Sequence, residues 1–253
     1  MIAILSPAKT LDFESPLPTK KFSLPQNIDK ALALIAGLKK MSPKKIGELM
    51  DLSDNLSKLN HQRYQDFTEK HDGKNARPAV FTFSGEVANG LDAGSFSARE
   101  IDYAQKHLRI LSGLYGVLKP LDLIQPYRLE MGTSWGPAKH KNLYSYWGNT
   151  ISEQLNEDFG KSKTLINLAS TEYSRAVNSK ALNAEIITCH FKEKKGSEYK
   201  VVMVFAKKAR GMMAQYLIKN QIEKSEDLKA FDTEGYAFNK KLSEGKEWVF
   251  TRG

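Results

Sequence analysis

Residues 108–133, LRILSGLYGVLKPLDLIQPYRLEMGT, constrain this chain more than any other stretch. They are apolar enough to be buried, yet Gly113, Gly116, Pro120, Pro126 and Gly132 break them repeatedly. Glycine allows close backbone approach or positive φ, and proline fixes φ and removes a donor. A plain helix or strand does not tolerate that punctuation. The stretch reads as irregular backbone that lines a core and presents Arg109, Lys119, Arg128 and Glu130. Binding residues are often carried on such segments.

The rest of the chain alternates strand and helix signals. Short apolar runs predict strands at 1–5, 79–83 and 164–168. Residues 15–26, with Pro16, Pro18 and Pro25, read as an extended connection, and the polar residues 71–78 as a loop. Ile28, Ala31, Leu32, Ile35 and Leu38 recur at helical spacing. Ser42-Pro43 places an N-cap before proline at the first helical position, and a third helix runs from Ser53 or Asp54 to Phe67. Ser97 and Glu100 form a capping box for a helix over 97–107; residues 108–111 either extend it or turn into a strand. One helix is predicted over 142–159, a short one over 171–177 and another over 209–222. Residues 184–191 and 199–205 alternate around a Lys-Lys-Gly turn and predict a hairpin, with two short terminal strands at 235–238 and 247–250. This mixture predicts an α+β (mixed α/β) fold, with flanking helices on a mixed β-sheet. It is read as a single compact domain over 1–253, with a helical sub-lobe at 27–74.

The chain has 253 residues, 41% of them hydrophobic, and a formal charge of +9. That charge points toward a polyanionic partner, although a lysine-rich surface with no such partner is the plainer reading. Cys189 is the only cysteine, so no intramolecular disulfide forms, which fits a reducing compartment. It lies in an alternating segment and reads as a small core residue; a peroxide-sensing thiol would need exposure and a lowered pKa. The amino terminus has no basic region before its short apolar run, and no apolar run approaches bilayer length. A cytoplasmic monomer is the expectation, with no membrane contact.

Four predicted strands end in similar chemistry. SPAKT follows the first, Ser84-Gly85-Glu86 the second, and Ala169-Ser170-Thr171-Glu172 the third, with Tyr173 and Arg175 beyond. Lys207-Lys208-Ala209-Arg210 follows the fourth. Parallel strands would bring these ends to one sheet edge, where α/β ligand sites lie. Hydroxyls and cations gathered there suit a phosphate or carboxylate. Ordinary helix capping is the better explanation of any one junction, and only the four together bring a shared anion site level with it. Lys207, Lys208 and Arg210 stand at a predicted helix start and oppose its dipole, which calls either for Glu86, Glu130 or Glu172 as ion-pair partners or for a bound polyanion. Around Ser53 two short helices meet, with Lys58, Asn60, His61 and Arg63 able to face a nucleic-acid backbone. The usual hairpin glycines are absent there; Asn55 would supply the positive φ. No phosphate-binding Gly-Lys-Ser loop, Gly-x-Ser-x-Gly elbow, metal-ligand spacing or ferritin-like Glu-x-x-His pair occurs. No cofactor or metal is called for, and no catalytic residue is assigned.

SPAKT at 6–10, the broken segment 108–133, INLAS at 166–170, AKKARG at 206–211 and EGYAF at 234–238 resemble the YaaA family across essentially the whole chain. The resemblance implies protection from hydrogen peroxide, limitation of intracellular iron, and DNA binding on a positively charged cleft with a helix-hairpin-helix element. No established reaction comes with it. The candidate anion- or DNA-binding set is Lys9, Thr10, Lys58, Arg63, Arg109, Lys119, Arg128, Ser170, Arg175, Lys207, Lys208 and Arg210. Binding to duplex DNA through phosphates, with little sequence preference, is the leading expectation. An enzyme acting on a phosphorylated or nucleic-acid substrate at an anion pocket lined by Lys9 and Lys207 is the alternative.

Overall fold

A computed structural model describes residues 1–253. Strand β1 (Ile2–Leu5) lies between two parallel neighbours and is buried throughout. A strand in that position needs no polar alternation, which is why IAIL reads as one apolar run. After β2 (Thr10–Leu11) come helices α1 (Ile28–Leu38), α2 (Pro43–Met50) and α3 (Asp54–Asp66). The Ser42 hydroxyl caps α2 by accepting the N–H of Lys45. Next are β3 (Arg77–Pro78), α4 (Ala79–Thr82), β4 (Phe83–Ser84), α5 (Glu86–Leu91) and α6 (Ala98–His107). Both hydrogen bonds of the Ser97–Glu100 capping box form at the start of α6.

The broken apolar segment supplies β5 (Leu108–Ser112), β6 (Gly116–Leu118) and β7 (Leu123–Ile124). A Cβ on Gly113 would stand 2.2 Å from the carbonyl oxygen of Leu129, so this glycine lets two irregular stretches touch through their backbones. Then follow α7 (Leu143–Trp147), α8 (Thr150–Asp158), β8 (Thr164–Leu168), α9 (Thr171–Ser174), β9 (Glu185–Lys195) and β10 (Glu198–Lys200). The chain closes with α10 (Met203–Lys219), β11 (Ala237–Phe238) and β12 (Glu247–Arg252).

One eight-stranded mixed sheet runs in the order β11-β12-β9-β8-β1-β5-β6, with β10 on β9. Strands β12, β9, β8, β1 and β5 are parallel; β6, β10 and β11 are antiparallel additions. The fold is therefore α+β with a mixed sheet. Strand β9 alternates, burying Ile187, Cys189 and Phe191, and Phe191 packs against Phe231, Tyr236 and Phe250. Residues Leu34 and Leu38 of α1, Ile46 of α2 and Tyr64 of α3 join the same hydrophobic cluster as the sheet.

Several local expectations need correction. Residues 79–82 form one helical turn, not a strand. The amides of Ala79 and Val80 donate to the carbonyls of Asp122 and Pro120, so no adjacent strand is available. A short apolar run does not distinguish a buried helical turn from a strand. The helix expected over 142–159 is two, broken at Gly148, whose φ of 50° ends the first. The second hairpin strand stops at Lys200, and α10 starts at Met203 instead of residue 209. Lys207, Lys208 and Arg210 thus sit inside a helix, beyond the first turn where its dipole would oppose them. In the α2–α3 turn the positive φ falls on Asp51, at 51°, while Asn55 lies within α3.

Candidate functional site

The sheet changes direction of growth at β1. From β1 the chain passes to β5 on one side, whereas β8 and then β9 extend the other. The crevice outside the carboxyl ends of β1 and β8 is a topological switch point, the place where α/β sheets bind ligands. Two loops meet in it. The backbone N–H of Ser170 donates to the Ser6 hydroxyl oxygen at 2.8 Å, and the Ser6 hydroxyl donates to the Ser170 hydroxyl at 3.2 Å.

Above this crevice lies a cavity of about 300 Å³, lined by Ser6–Thr10, Ser84–Val87, Glu130, Ser170, Glu172, Tyr173, Lys207 and Arg210. The β2–β4 ladder pairs Thr10 with Ser84 and brings the Ser84-Gly85-Glu86 turn alongside SPAKT. The far wall is α10, held against α5 by a glycine contact. A Cβ on Gly90 would meet the Lys208 carbonyl oxygen at 2.0 Å, and one on Gly211 the Val87 oxygen at 2.0 Å. Backbone meets backbone at that crossing. It fixes where Lys207 and Arg210 stand relative to Glu86 and Val87.

The charges in the cavity are not equivalent. Lys9 Nζ pairs with Glu130 Oε2 at 2.7 Å, and Arg128 Nη2 takes the other oxygen at 3.0 Å. Glu172 Oε1 accepts the Gly132 N–H at 2.8 Å. The Lys207 side chain makes neither an ion pair nor a hydrogen bond within the chain. Arg210 is half-buried, its Nε is shielded without a partner, and burial pulls its guanidinium below its ordinary pKa. A shielded guanidinium without a carboxylate carries an uncompensated desolvation cost. Burial, then the nearby Tyr127 and Glu172, pushes the Tyr173 phenol well above its usual range, so it remains a hydrogen-bond donor.

A second cavity of about 440 Å³ shares Lys9, Glu130 and Glu172 with the first and adds Arg128, Glu48 and Asp51. Arg63 on α3 is near enough to Arg128 to feel its charge. The Tyr64 hydroxyl donates to the Arg128 carbonyl and anchors that backbone. These cavities mix cations with carboxylates. Lys9, Arg128, Lys207 and Arg210 face Glu48, Asp51, Glu86, Glu130 and Glu172. These carboxylates are scattered along the chain and meet only through the fold.

The remaining candidates lie elsewhere. Arg109 is 2% exposed on β5 and donates through Nε to Asp158 at 2.7 Å; Lys119 pairs with the same carboxylate at 3.1 Å. They form an ion cluster inside the fold, so Arg109 is corrected from a surface contact to a core residue. Lys208 pairs with Glu234. Exposed Arg175 stacks over the Tyr144 ring, 4.8 Å from its centroid, and borders a separate cavity beside Asn167 and Thr188. Lys58 is exposed on α3, outside both main cavities. Thr10, Lys9, Ser170, Lys207 and Arg210 do share one cavity. The Gly90–Gly211 crossing that builds its wall escaped sequence reasoning; Gly211 directly after Lys-Lys-Ala-Arg was its only trace.

No group of three or more His, Cys, Asp or Glu side chains is placed to hold a metal ion. No helix is long and apolar enough to cross a membrane. The family described as "Peroxide stress protein YaaA" matches residues 1–242. A "UPF0246 protein" of Saccharophagus degradans is 50% identical over 254 aligned residues, covering 100% of this chain and 99% of its own. Proteins with that same family label from Teredinibacter turnerae and Idiomarina loihiensis are each also 50% identical over all of this chain, covering 99% and 98% of their own lengths. The chain thus belongs to the YaaA family of peroxide stress proteins.

Proposed function

We propose that the protein serves the peroxide response by binding duplex DNA through its phosphates. The observation that carries this reading is a set of cations in two adjoining cavities, Arg128 and Lys9 in one and Lys9, Lys207 and Arg210 in the other, with Arg63 close to Arg128. The chain's +9 charge supports it. Interspersed carboxylates limit the number of phosphates engaged and disfavour a long flat track. The α2–α3 pair is the natural element to meet the backbone beside the cavity, with Lys58 and Arg63 on α3, as a helix-hairpin-helix would. If about five phosphates are contacted, log affinity against log salt should have a slope of roughly −4 to −5. An anisotropy titration that finds no binding at low salt removes this reading.

The peroxide role does not run through the single thiol. Cys189 is 2% exposed, and burial, followed by the charge of Glu247, pushes its pKa up to about 12. So little thiolate at neutral pH leaves it a packing residue. Cys189→Ala should keep peroxide survival of cells at the wild-type level; sensitivity with the variant folded and abundant would reveal a redox switch.

A second reading, an enzyme acting on a phosphorylated or nucleic-acid substrate, is favoured by the position of the cavity at the topological switch point. Mass spectrometry of DNA strands after incubation with the protein checks it: new fragments support it, and unchanged strands oppose it.

A further inference from the structure

The cations of the main cavity divide into two kinds. Lys9 is held by Glu130. Lys207 and Arg210 have no carboxylate within ion-pair reach, although Glu86 and Glu172 line the same walls. Two positive side chains without a direct ion-pair partner therefore face one space of about 300 Å³. That volume is at the small end of ligand sites, which span roughly 300–1,000 Å³. It has room for one nucleotide-sized group and none for a continuous duplex.

An internal phosphodiester carries one negative charge. A phosphate monoester carries about −1.5 to −2 at neutral pH, because its second pKa is near 6. The monoester matches two free cations; the diester leaves one uncompensated. The planar guanidinium of Arg210 suits two phosphate oxygens at once, and Lys207 supplies a point charge. The Ser170 hydroxyl, at the crevice between β1 and β8, adds a further polar contact. The carboxylate of Glu86 has only a long contact, at 3.5 Å from Asn89, and so is free to accept from ligand hydroxyls. A cavity with cations for a dianion and a carboxylate for hydroxyl donors matches a phosphorylated sugar with its base.

We propose that this cavity seats the phosphomonoester of a single nucleotide, either a free mononucleotide or the phosphorylated end of a DNA strand. This deepens the DNA-binding reading and rests on it: internal phosphates would be met by Arg63, Arg128 and Lys9, and the terminal one by Lys207 and Arg210 in the pocket.

The test compares one duplex sequence in four forms: 5′-phosphorylated, 3′-phosphorylated, with hydroxyl ends, and closed by hairpin loops so that no end exists. A nucleoside 5′-monophosphate is titrated separately by calorimetry. The expected result is that one phosphorylated duplex binds at least about tenfold tighter than the hydroxyl-ended and closed duplexes, a difference of about 1.4 kcal/mol. Lys207→Ala and Arg210→Gln should both bring that ratio close to one. Lys207 is exposed, so its variant folds even if the half-buried Arg210 variant does not. Saturable binding of the mononucleotide that is lost with Lys207→Ala would identify the free nucleotide as the source. A preference confined to duplex ends would identify strand termini. Equal affinity for all four duplexes together with no mononucleotide binding overturns the proposal. Failure of the closed duplex to bind at low salt instead overturns the internal-phosphate reading, so the two failures are distinct.

Discussion

Gly211→Ala should destabilise the protein by about 3 kcal/mol or more, beyond the usual range for one added methyl in a core. The new Cβ would lie 2.0 Å from the Val87 carbonyl oxygen and 2.7 Å from the Leu91 nitrogen. Both obstacles are backbone, so no rotamer change relieves them, and α10 must move away from α5. Alanine's better helix propensity, about 1 kcal/mol over glycine, does not offset this. For a chain of this size the melting temperature should fall by roughly 10 °C. Gly94→Ala is the control, because nothing lies within 4 Å of its added Cβ, and it should stay within about 0.5 kcal/mol of wild type. Chemical denaturation of the two variants checks both. Equal stability of Gly211→Ala and wild type would contradict the close crossing. Any Gly211 variant that folds should also bind anions poorly, since Lys207 and Arg210 ride on the displaced helix.

The second large effect belongs to Arg109. Its guanidinium is buried, donates to Asp158 at 2.7 Å and to the Leu108 carbonyl at 2.6 Å, and leaves nothing exposed for a ligand. Arg109→Leu should cost roughly 3 kcal/mol, the low end for breaking a buried pair, because Lys119 still reaches Asp158. Burial alone would raise the Asp158 pKa, but Arg109 and Lys119 outweigh it and hold the carboxyl below its ordinary value. A depressed folded pKa gives stability above the unfolded value of about 3.9, lost as pH falls through the folded one. In Arg109→Leu that part of the acid sensitivity should shrink. Urea unfolding from pH 7 down to pH 3 reads both effects. DNA affinity should not change in the folded variant; a marked loss would return Arg109 to the binding surface.

The sequence is most legible where local chemistry acts alone. The Ser97–Glu100 box, the Ser42-Pro43 helix start and the strands β1 and β8 all follow from short-range rules, and all form. The two Ser-bearing strand ends could be read because parallel strands must deliver them to one edge. Tertiary context decided the rest. Residues 79–82 are as apolar as a strand but find carbonyls of the 120–122 stretch in place of a strand partner. Residues 203–205 continue the apolar, Val-rich run from Val201 as a strand would, yet they open the longest helix. Arg109 looked like a presented charge because its partner, Asp158, is 49 residues away. The charge of the cleft was hidden for the same reason: Glu48, Glu86, Glu130 and Glu172 come from four separate regions, and only folding sets them among the lysines and arginines.

Anion binding at the strand ends depends on their cations, and Lys9→Ala/Lys207→Ala tests them most directly. Both side chains are exposed, so their removal should leave the unfolding midpoint near that of wild type. Affinity of this variant for end-phosphorylated duplex DNA, measured by anisotropy against salt alongside wild type, should fall at every salt concentration. The slope should become shallower by about 2, one for each lost phosphate contact. Wild-type affinity and slope in the stable double variant would contradict the assignment of this site to anion binding.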